Sequence, residues 1–318
     1  MQDPADGSGS SSRLPQAQPA DTLAARILGV KPEAGLHLIA TPIGTARDIT
    51  LRALDTLNGA DVLAAEDTRT LRHLMEIHGI PLRGRRVVAY HDHNAERARP
   101  ALMRALAEGQ SVAYASDAGT PLVADPGYRL ARDAAEAGYR IHSAPGPSAL
   151  LAGLTVSGLP SDRFMFVGFP PAAKGAKRRW IESWAGVEAT VVLFESPKRV
   201  KELLEIMCES DPERDTVICR ELTKKFEEVM RGTAAGLARD IPEQGLRGEV
   251  VVLFGPPQVK PADEGDIRNA LVALLKDMSV KDASAQVAAR LGLPRREVYA
   301  LALDLAKGAK EESEDDDG

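Results

Sequence analysis

The sequence predicts an α/β fold: two consecutive α/β domains with a ligand-binding cleft between them, followed by a small helical segment. Short β-branched runs alternate with stretches of helical periodicity, which is typical of βαβ units and a mainly parallel sheet. The pattern changes after Pro145-Gly146-Pro147, and from about residue 262 onward it is wholly helical. The length of 318 residues also suits two domains.

The first α/β domain is expected over residues 34–147 and the second over residues 148–257. In the first, Asp48 is expected to cap the N-terminus of the first crossover helix. In the second, Ser148–Gly158 is expected to form one helix that the Ser148 hydroxyl caps. The runs interpreted as strands are Leu36–Ala40, Val62–Ala65, Val87–Tyr90, Val112–Ala115, Phe164–Gly168, Thr190–Phe194, Thr216–Arg220 and Val250–Phe254.

A helical extension is expected over residues 262–308. Within it, a helix over Val280–Leu291, a turn at Gly292-Leu293-Pro294 and a helix over Arg295–Leu305 resemble a helix-turn-helix motif. A small helical bundle that only packs against the rest of the chain fits the same pattern equally well.

Both ends of the chain are expected to be flexible tails. Residues 1–33 are rich in small and polar residues and lack the cationic and apolar regions of a secretory signal. Residues 309–318 form an acidic tail, in which six of the last eight residues are Asp or Glu. Without those six residues, the chain has 40 acidic and 40 basic residues, so the net charge of −6 comes from the tail. The rest of the chain can therefore still carry a locally basic surface.

Several classes of protein are excluded. No apolar run approaches the ~20 residues of a membrane span. The two cysteines, Cys208 and Cys219, fit neither a disulfide framework nor a zinc site, which favours a reducing cytoplasm. The sequence contains no GxxxxGK[ST] motif, no GxGxxG after a strand and no GxSxG nucleophile elbow.

The loops that follow the predicted strands combine glycine and proline with carboxylates or hydroxyls. Such loops can serve turn geometry alone. Their density at successive strand ends nevertheless indicates a ligand crevice, because ligands of open α/β sheets bind beyond the carboxyl ends of the strands. Within these loops, His91 and His93 could both face one metal ion, but no third ligand is identifiable, so no metal is expected. Glu66 and Asp67 leave a strand on opposite faces, so at most one of them faces the crevice.

A basic cluster follows Phe164–Gly168, beside Trp180. Closely spaced cations next to an aromatic side chain are suited to clamp RNA phosphates, although an ordinary solvated surface has the same composition. The residues expected to bind RNA are Lys174, Lys177, Arg178, Arg179, Lys198 and Arg199.

Taken together, the strand-end motifs resemble a bacterial family of rRNA 2′-O-methyltransferases in the tetrapyrrole methylase superfamily. The resemblance covers about Leu36 to Gly255. The motifs are Thr41-Pro42-Ile43-Gly44, Ala64-Ala65-Glu66-Asp67-Thr68-Arg69, His91-Asp92-His93-Asn94, Ser116-Asp117-Ala118-Gly119-Thr120-Pro121, Asp125-Pro126-Gly127, Leu159-Pro160-Ser161-Asp162-Arg163-Phe164, Arg220-Glu221-Leu222-Thr223-Lys224 and Arg247-Gly248-Glu249.

This resemblance implies an S-adenosylmethionine-dependent enzyme that methylates a cytidine 2′-hydroxyl of 16S rRNA in the small ribosomal (30S) subunit, usually as a cytoplasmic homodimer, without a metal and away from membranes. The donor would lie in the cleft between the two domains. The residues implied to hold it are Pro42, Gly44, Asp117, Ala118, Gly119, Thr120, Leu122, Val123, Pro147, Ser148, Phe194, Glu195, Gly248, Glu249 and Val250.

For the chemistry, a carboxylate against the donor sulfonium would stabilise the ground state more than the transition state. Asp117 and Glu249 are therefore expected to orient other parts of the donor. A base near the acceptor hydroxyl, or a neighbouring group that lowers the pKa of that hydroxyl, would help, although alignment alone could carry most of the rate. Asp67 is the favoured candidate, and the others are Glu66, His91, His93, Glu221 and Lys224.

Two other functions fit parts of the sequence. Methylation of a tetrapyrrole-like ring in the same fold would require an apolar trough, which the basic Lys174–Arg179 segment opposes. A non-enzymatic RNA-binding module using the helical extension would bind no S-adenosylmethionine.

Overall fold

The computed structural model describes residues 31–123, 127–258, 264–291 and 293–314. Described residues up to Pro256 form one compact unit, and those from Pro257 onward form a second. Most of both predicted tails, and Asp125-Pro126 and Gly292 among the predicted motifs, lie outside the described residues.

The first half of the larger unit is a five-stranded parallel sheet with the order β3-β2-β4-β1-β5. Leu54 and Met75 belong to the core on one face, and Leu102 and Leu130 to the core on the other. The expected mainly parallel sheet is confirmed here. The elements are β1 (Gly35–Ile39), α1 (Leu51–Gly59), β2 (Val62–Ala65), α2 (Thr68–Ile77), β3 (Val87–Ala89), α3 (Ala95–Ala107), β4 (Ser111–Ala115), α4 (Tyr128–Glu136) and β5 (Ile141–Ala144).

The second half is a mixed sheet with the order β6-β7-β10-β8-β9, in which only the β6–β7 pair is parallel. The β8–β9 pair is antiparallel because a short loop, residues 221–227, joins the two strands. The elements are α5 (Ala149–Ser157), β6 (Phe164–Phe166), α6 (Lys174–Ala185), β7 (Thr190–Glu195), α7 (Val200–Ser210), β8 (Asp215–Arg220), β9 (Glu228–Thr233), α8 (Ala234–Asp240) and β10 (Val250–Phe254).

The smaller unit contains α9 (Glu264–Leu275), α10 (Val280–Leu291) and α11 (Arg295–Glu314), which pack around Leu271 and Val287. The predicted helix over Val280–Leu291 is confirmed. Helix α11 continues to Glu314 and so overlaps the residues from 309 onward that were predicted to form the acidic tail. None of the described helices is long and apolar enough to span a bilayer.

Three local predictions are wrong. Thr50, not Asp48, caps the first crossover helix, since its hydroxyl accepts a hydrogen bond from the Ala53 amide at 3.2 Å. Ser148 stands at the start of α5 but makes no side-chain capping bond. The flexible N-terminal tail does not extend to residue 33, because Lys31 forms an ion pair with Asp61 at 3.0 Å.

Both sheets place several strand ends at one edge. In the parallel sheet all carboxyl ends point the same way. In the mixed sheet, Val250 at the start of β10 pairs with Glu195 at the end of β7 and with Arg220 at the end of β8. The predicted strand-end loops are therefore grouped along the edge of each sheet.

Candidate functional site

A cavity of about 380 Å³ lies among the strand-end loops of both halves. Its volume is within the range of small-molecule sites, roughly 300–1,000 Å³. Ile43, Phe169 and Leu222 give part of the wall an apolar character. The other lining residues are Ala118, Gly119, Thr120, Val123, Ser148, Ala149, Phe194, Glu195, Ser196, Pro197, Arg199, Cys219, Gly248, Glu249, Val250 and Val251.

The cavity brings together ten of the fifteen residues expected to bind the donor. Their role in donor binding stays a prediction. The ten that line the wall are Ala118, Gly119, Thr120, Val123, Ser148, Phe194, Glu195, Gly248, Glu249 and Val250, whereas Pro42, Gly44, Asp117, Leu122 and Pro147 do not line it.

Hydrogen bonds lock three strand-end loops of the first half together. The amides of Thr41 and Gly119 each donate to the other residue's carbonyl oxygen at 2.9 Å. The Thr120 hydroxyl donates to the Pro147 carbonyl oxygen at 3.0 Å. Pro147 thus supports the cavity wall from behind, although its side chain does not line it.

Gly44 allows close contact between the two halves. A Cβ atom there would lie 2.5 Å from Thr223 Oγ1 and 2.6 Å from Lys224 Cγ. The amide of the next residue, Thr45, donates to Thr223 Oγ1 at 3.2 Å. Gly44 therefore allows this close packing against the 221–227 loop, and its expected contact with the donor stays a prediction.

A charged network borders the cavity on the side of the second half. Lys224 Nζ lies 2.9 Å from Glu221 Oε1 and 2.9 Å from Glu249 Oε2. Burial lowers the pKa of Lys224, but the hydrogen bonds to Glu249 and Glu221 outweigh it and raise the pKa above its usual value. The amine of Lys224 therefore stays protonated and does not suit the role of a base, and its other expected role, lowering the pKa of the acceptor hydroxyl, stays a prediction.

The preferred general base, Asp67, also does not suit that role. Its carboxylate accepts hydrogen bonds from the Arg69 guanidinium and from the Arg69 amide that begins α2. These bonds lower the pKa of Asp67 to about 2. A carboxylate that binds protons so weakly is a poor base at neutral pH, and Asp67 does not line the cavity.

Glu66, Asp117 and His91 lie in neighbouring loops outside the cavity wall. The Asp117 amide donates to Glu66 Oε1 at 3.3 Å, and Asp117 Oδ1 accepts from the Asp67 amide at 2.9 Å. Asp117 thus holds the loop after β2 against the loop after β4. The rings of His91 and His93 lie 6.1 Å apart, and the described part of the chain contains no group of three or more His, Cys, Asp or Glu that could hold a metal.

The predicted RNA clamp is only partly available. Its first four cations lie on helix α6, where Lys177 is fully buried, with its Nζ 2.6 Å from Glu202 Oε2 and 3.6 Å from Glu195 Oε2. The assignment of Lys177 to RNA binding is therefore wrong. Its spacing from Ile181 and Trp184, both buried on α6, is the sequence signal that predicts burial.

The other five cations of the predicted clamp divide into two groups. Arg178 pairs with Glu209 at 2.6 Å, and Arg199 pairs with Glu195 at 2.7 Å in the cavity wall. The three that have no ion pair to a described residue are Lys174, Arg179 and Lys198, and all three are exposed.

Sequence reasoning missed several lining residues. Phe169 and Leu222 are apolar residues next to or within the predicted loops that were not assigned to the site, whereas Ile43 lies inside the implied Pro42–Gly44 loop. Arg199 was assigned to RNA and lies in the cavity wall. Phe169 directly follows Gly168 and Leu222 lies inside the Arg220–Lys224 motif, so an apolar residue within or beside a strand-end motif is the signal that could have identified both.

Comparison with known proteins identifies the family of this chain and agrees with its fold. The family described as Tetrapyrrole (Corrin/Porphyrin) Methylases matches residues 35–238, and the RsmI C-terminal HTH domain matches residues 261–306. The Ribosomal RNA small subunit methyltransferase I of Mesorhizobium japonicum is 47% identical over 279 residues, covering 86% of this chain and 92% of the relative. The protein of the same name from Erythrobacter litoralis is 42% identical, covering 85% of this chain and 95% of the relative.

Two solved structures share the fold. A diphthine synthase aligns with a TM-score of 0.55 at 18% identity, covering 69% of this chain and 89% of that one. A cobalt precorrin-4 methyltransferase aligns with a TM-score of 0.52 at 19% identity, covering 69% of this chain and 94% of that one.

The fold and the cavity define a methyltransferase of the tetrapyrrole methylase class. Within that class, the chain belongs to the ribosomal RNA small subunit methyltransferase I family. The prediction of an S-adenosylmethionine-dependent methyltransferase is confirmed by this membership, and the helical extension corresponds to the family's HTH domain.

Proposed function

We propose that this chain transfers the methyl group of S-adenosylmethionine to the 2′-hydroxyl of a cytidine in 16S rRNA, and that the donor binds in the cavity at the strand ends. The observation that carries the proposal is the composition of this cavity, in which the Gly119 loop of the first half faces the Gly248 loop of the second.

The residues of the cavity fit the donor. Ile43, Phe194 and Leu222 offer an apolar surface for an adenine ring. Gly119 and Gly248, which both line the cavity, have φ values of +82° and +86°, a conformation that glycine adopts without strain. The Ser148 hydroxyl makes no capping bond and can hydrogen-bond to the ligand.

When bound, the donor supplies an electrophilic methyl group on a sulfonium whose positive charge disappears during transfer. An unpaired carboxylate beside that charge would stabilise the ground state and slow the reaction. Both glutamates in the wall have cationic partners: Glu195 is paired with Lys177 and Arg199, and Glu249 with Lys224. The cations Lys177 and Arg199 thus compensate Glu195, whereas Glu249 shares Lys224 with Glu221.

Alignment of the acceptor carries most of the rate in this proposal. Asp67 does not suit the role of a base, because its bonds to Arg69 lower its pKa and therefore its affinity for a proton, and Lys224 does not, because its ion pairs hold the amine protonated. The Lys224 ammonium has another role, because a fixed cation favours the ionised form of a nearby hydroxyl. Glu66 and His91 stay candidates for a base, although both lie outside the cavity wall.

The exposed cations Lys174, Arg179 and Lys198 are the proposed phosphate contacts. From the family we further infer a cytoplasmic homodimer that acts on the small ribosomal subunit. Ring methylation is not carried forward, because the corrin-precursor enzyme shares the fold alone whereas both rRNA methyltransferase relatives match over most of their length.

The test is incubation of the protein with methyl-labelled donor and unmethylated 30S particles, with free 16S rRNA in parallel, followed by mass-spectrometric mapping. We expect one labelled cytidine ribose. The proposal would be refuted by label on a base, by label on protein, or by the absence of label from both the 30S particles and the free 16S rRNA.

A further inference from the structure

Phe226 is the most exposed large apolar side chain among the described residues, with 65% of its surface accessible. It lies in the 221–227 loop between β8 and β9. A single exposed apolar residue is common on protein surfaces. The loop that carries this one, however, has three further properties that point to a ligand.

The first property is a strained and braced backbone. Glu221 and Thr223 have φ values of +52° and +63°, a region that is costly for residues other than glycine, above all for a β-branched one. The strain is held by the Thr223 amide, which donates to the Glu227 carboxylate, and by Lys224 between two carboxylates. Phe226 is thus presented on a rigid support.

The second property is position. Leu222, in the same loop, lines the proposed donor cavity, and Thr223 accepts a hydrogen bond from Thr45 of the first half. Four residues of chain span at most about 14 Å, so the Phe226 backbone lies within that distance of the cavity wall. This is within the reach of one or two nucleotides.

The third property is charge. Lys225 Nζ lies 5.5 Å from the centre of the Phe226 ring, and Lys225 forms no ion pair with a described residue. Its neighbour Lys224, in contrast, is neutralised by two glutamates. The loop tip therefore combines an accessible aromatic ring with an uncompensated cation, the combination with which proteins bind single-stranded RNA.

We propose that Phe226 and Lys225 form a nucleotide-binding site for the substrate RNA, resting on the proposed function. Phe226 stacks on an unpaired base at or next to the methylated nucleotide, and Lys225 contacts a phosphate of the same strand. A ribose held in a helix cannot reach the cavity, so the nucleotide leaves its neighbours, and Phe226 replaces the stacking that it loses.

The test compares Phe226→Ala and Phe226→Trp with the unchanged protein. Affinity for a fluorescein-labelled single-stranded cytidine decamer is measured by anisotropy, and affinity for S-adenosylhomocysteine by calorimetry. We expect the alanine variant to bind the decamer roughly tenfold or more weakly, the tryptophan variant to restore binding, and both to keep their S-adenosylhomocysteine affinity. Lys225→Gln is expected to reduce the slope of log affinity against log salt by about 0.7.

Phe164→Ala is the matched control. Phe164 is 44% exposed, but it pairs with Thr190 at the start of β7, whereas the cavity lies at the other end of that strand, at Glu195. It is expected to leave decamer affinity unchanged.

Three outcomes would overturn the proposal: unchanged decamer affinity in Phe226→Ala, a parallel loss of S-adenosylhomocysteine affinity, or dissociation of an oligomer on size-exclusion chromatography, which would make the loop a contact between copies of this chain. Decamer binding needs no methyl transfer. If decamer binding depends on Phe226 but the protein transfers no methyl group, the proposed function is refuted and the nucleotide-binding site is not.

Discussion

The ammonium of Lys177 lies 3.6 Å from the carboxylate of Glu195, and both side chains are completely buried. Glu195 lines the cavity and also pairs with Arg199, another lining residue. A cation on α6 thus holds the end of β7 in place behind the proposed donor site.

Lys177→Met is therefore expected to destabilise the protein and weaken donor binding together. Removing Lys177 leaves the buried Glu195 with the more exposed Arg199 as its remaining ion-pair partner, and breaking a buried ion pair costs up to about 3–5 kcal/mol. Urea denaturation and calorimetry with S-adenosylhomocysteine measure the two effects. Arg178→Met is the control, since Arg178 pairs with Glu209 at the surface, and its curves should match those of the unchanged protein. Equal effects of the two substitutions would show that the buried pair has no special role.

Gly248→Ala tests the approach of the two loops at the cavity. A Cβ atom at Gly248 would lie 2.4 Å from Glu221 Oε1, at a φ of +86°. Gly138 has a similar φ of +78° with no atom near its Cβ position. We expect Gly138→Ala to cost only the backbone strain, about 1–2 kcal/mol, and Gly248→Ala to weaken donor binding about tenfold in addition. Thermal unfolding and calorimetry distinguish the two, and unchanged donor affinity in Gly248→Ala would contradict the assignment.

Ser148→Phe is expected to fill the cavity. Ser148 lines it and makes no capping bond, so the fold loses little when its hydroxyl is removed. We expect donor affinity to fall at least roughly tenfold in Ser148→Phe and about twofold in Ser148→Ala, with similar unfolding temperatures. Tight donor binding by the phenylalanine variant would place the donor elsewhere.

The lowered pKa of Asp67 predicts that the stability of the protein depends on pH in the acid range. Its hydrogen bonds to Arg69 lower the pKa of the folded-state carboxyl to about 2 from a usual value of 3.8. A lowered pKa adds stability that is present above the unfolded pKa and is lost as pH falls through the folded one. The difference in unfolding temperature between the protein and Asp67→Asn should therefore shrink from pH 4 towards pH 2, and a constant difference would exclude this linkage.

Reversing the charges of Lys174, Arg179 and Lys198 is expected to weaken RNA binding while donor affinity is kept. Each phosphate that the protein no longer neutralises should reduce the salt slope by about 0.7 for a single strand. Arg132→Glu on α4 is the control, because Arg132 already pairs with Glu136. If the triple variant keeps the salt slope of the unchanged protein, these three residues do not contact RNA phosphates.

The fold was predictable where side chains are buried. The bounds of β2 and β10 agree with the sequence prediction because both consist of apolar residues packed in the sheet. Strands β5 and β9 were missed since both are edge strands with largely exposed side chains, which leaves no apolar pattern to read.

The loops that form the site were predictable from the sequence, but the contacts between side chains distant in the chain were not. Glycine and proline at strand ends located the cavity wall, because backbone geometry follows from those residue types. The roles of Lys177 and Gly44 depend on partners distant in the chain, such as Glu202 for Lys177 and Thr223 for Gly44. Residue type alone therefore made a buried lysine look like a surface cation.

The strand-end cavity is the proposed binding site of the methyl donor, and a crystal structure of the full chain with S-adenosylhomocysteine examines it directly. We predict electron density for the ligand between the Gly119 and Gly248 loops, against Phe194 and Leu222. Density at any other place, or a cavity that stays closed at a saturating ligand concentration, would contradict this assignment.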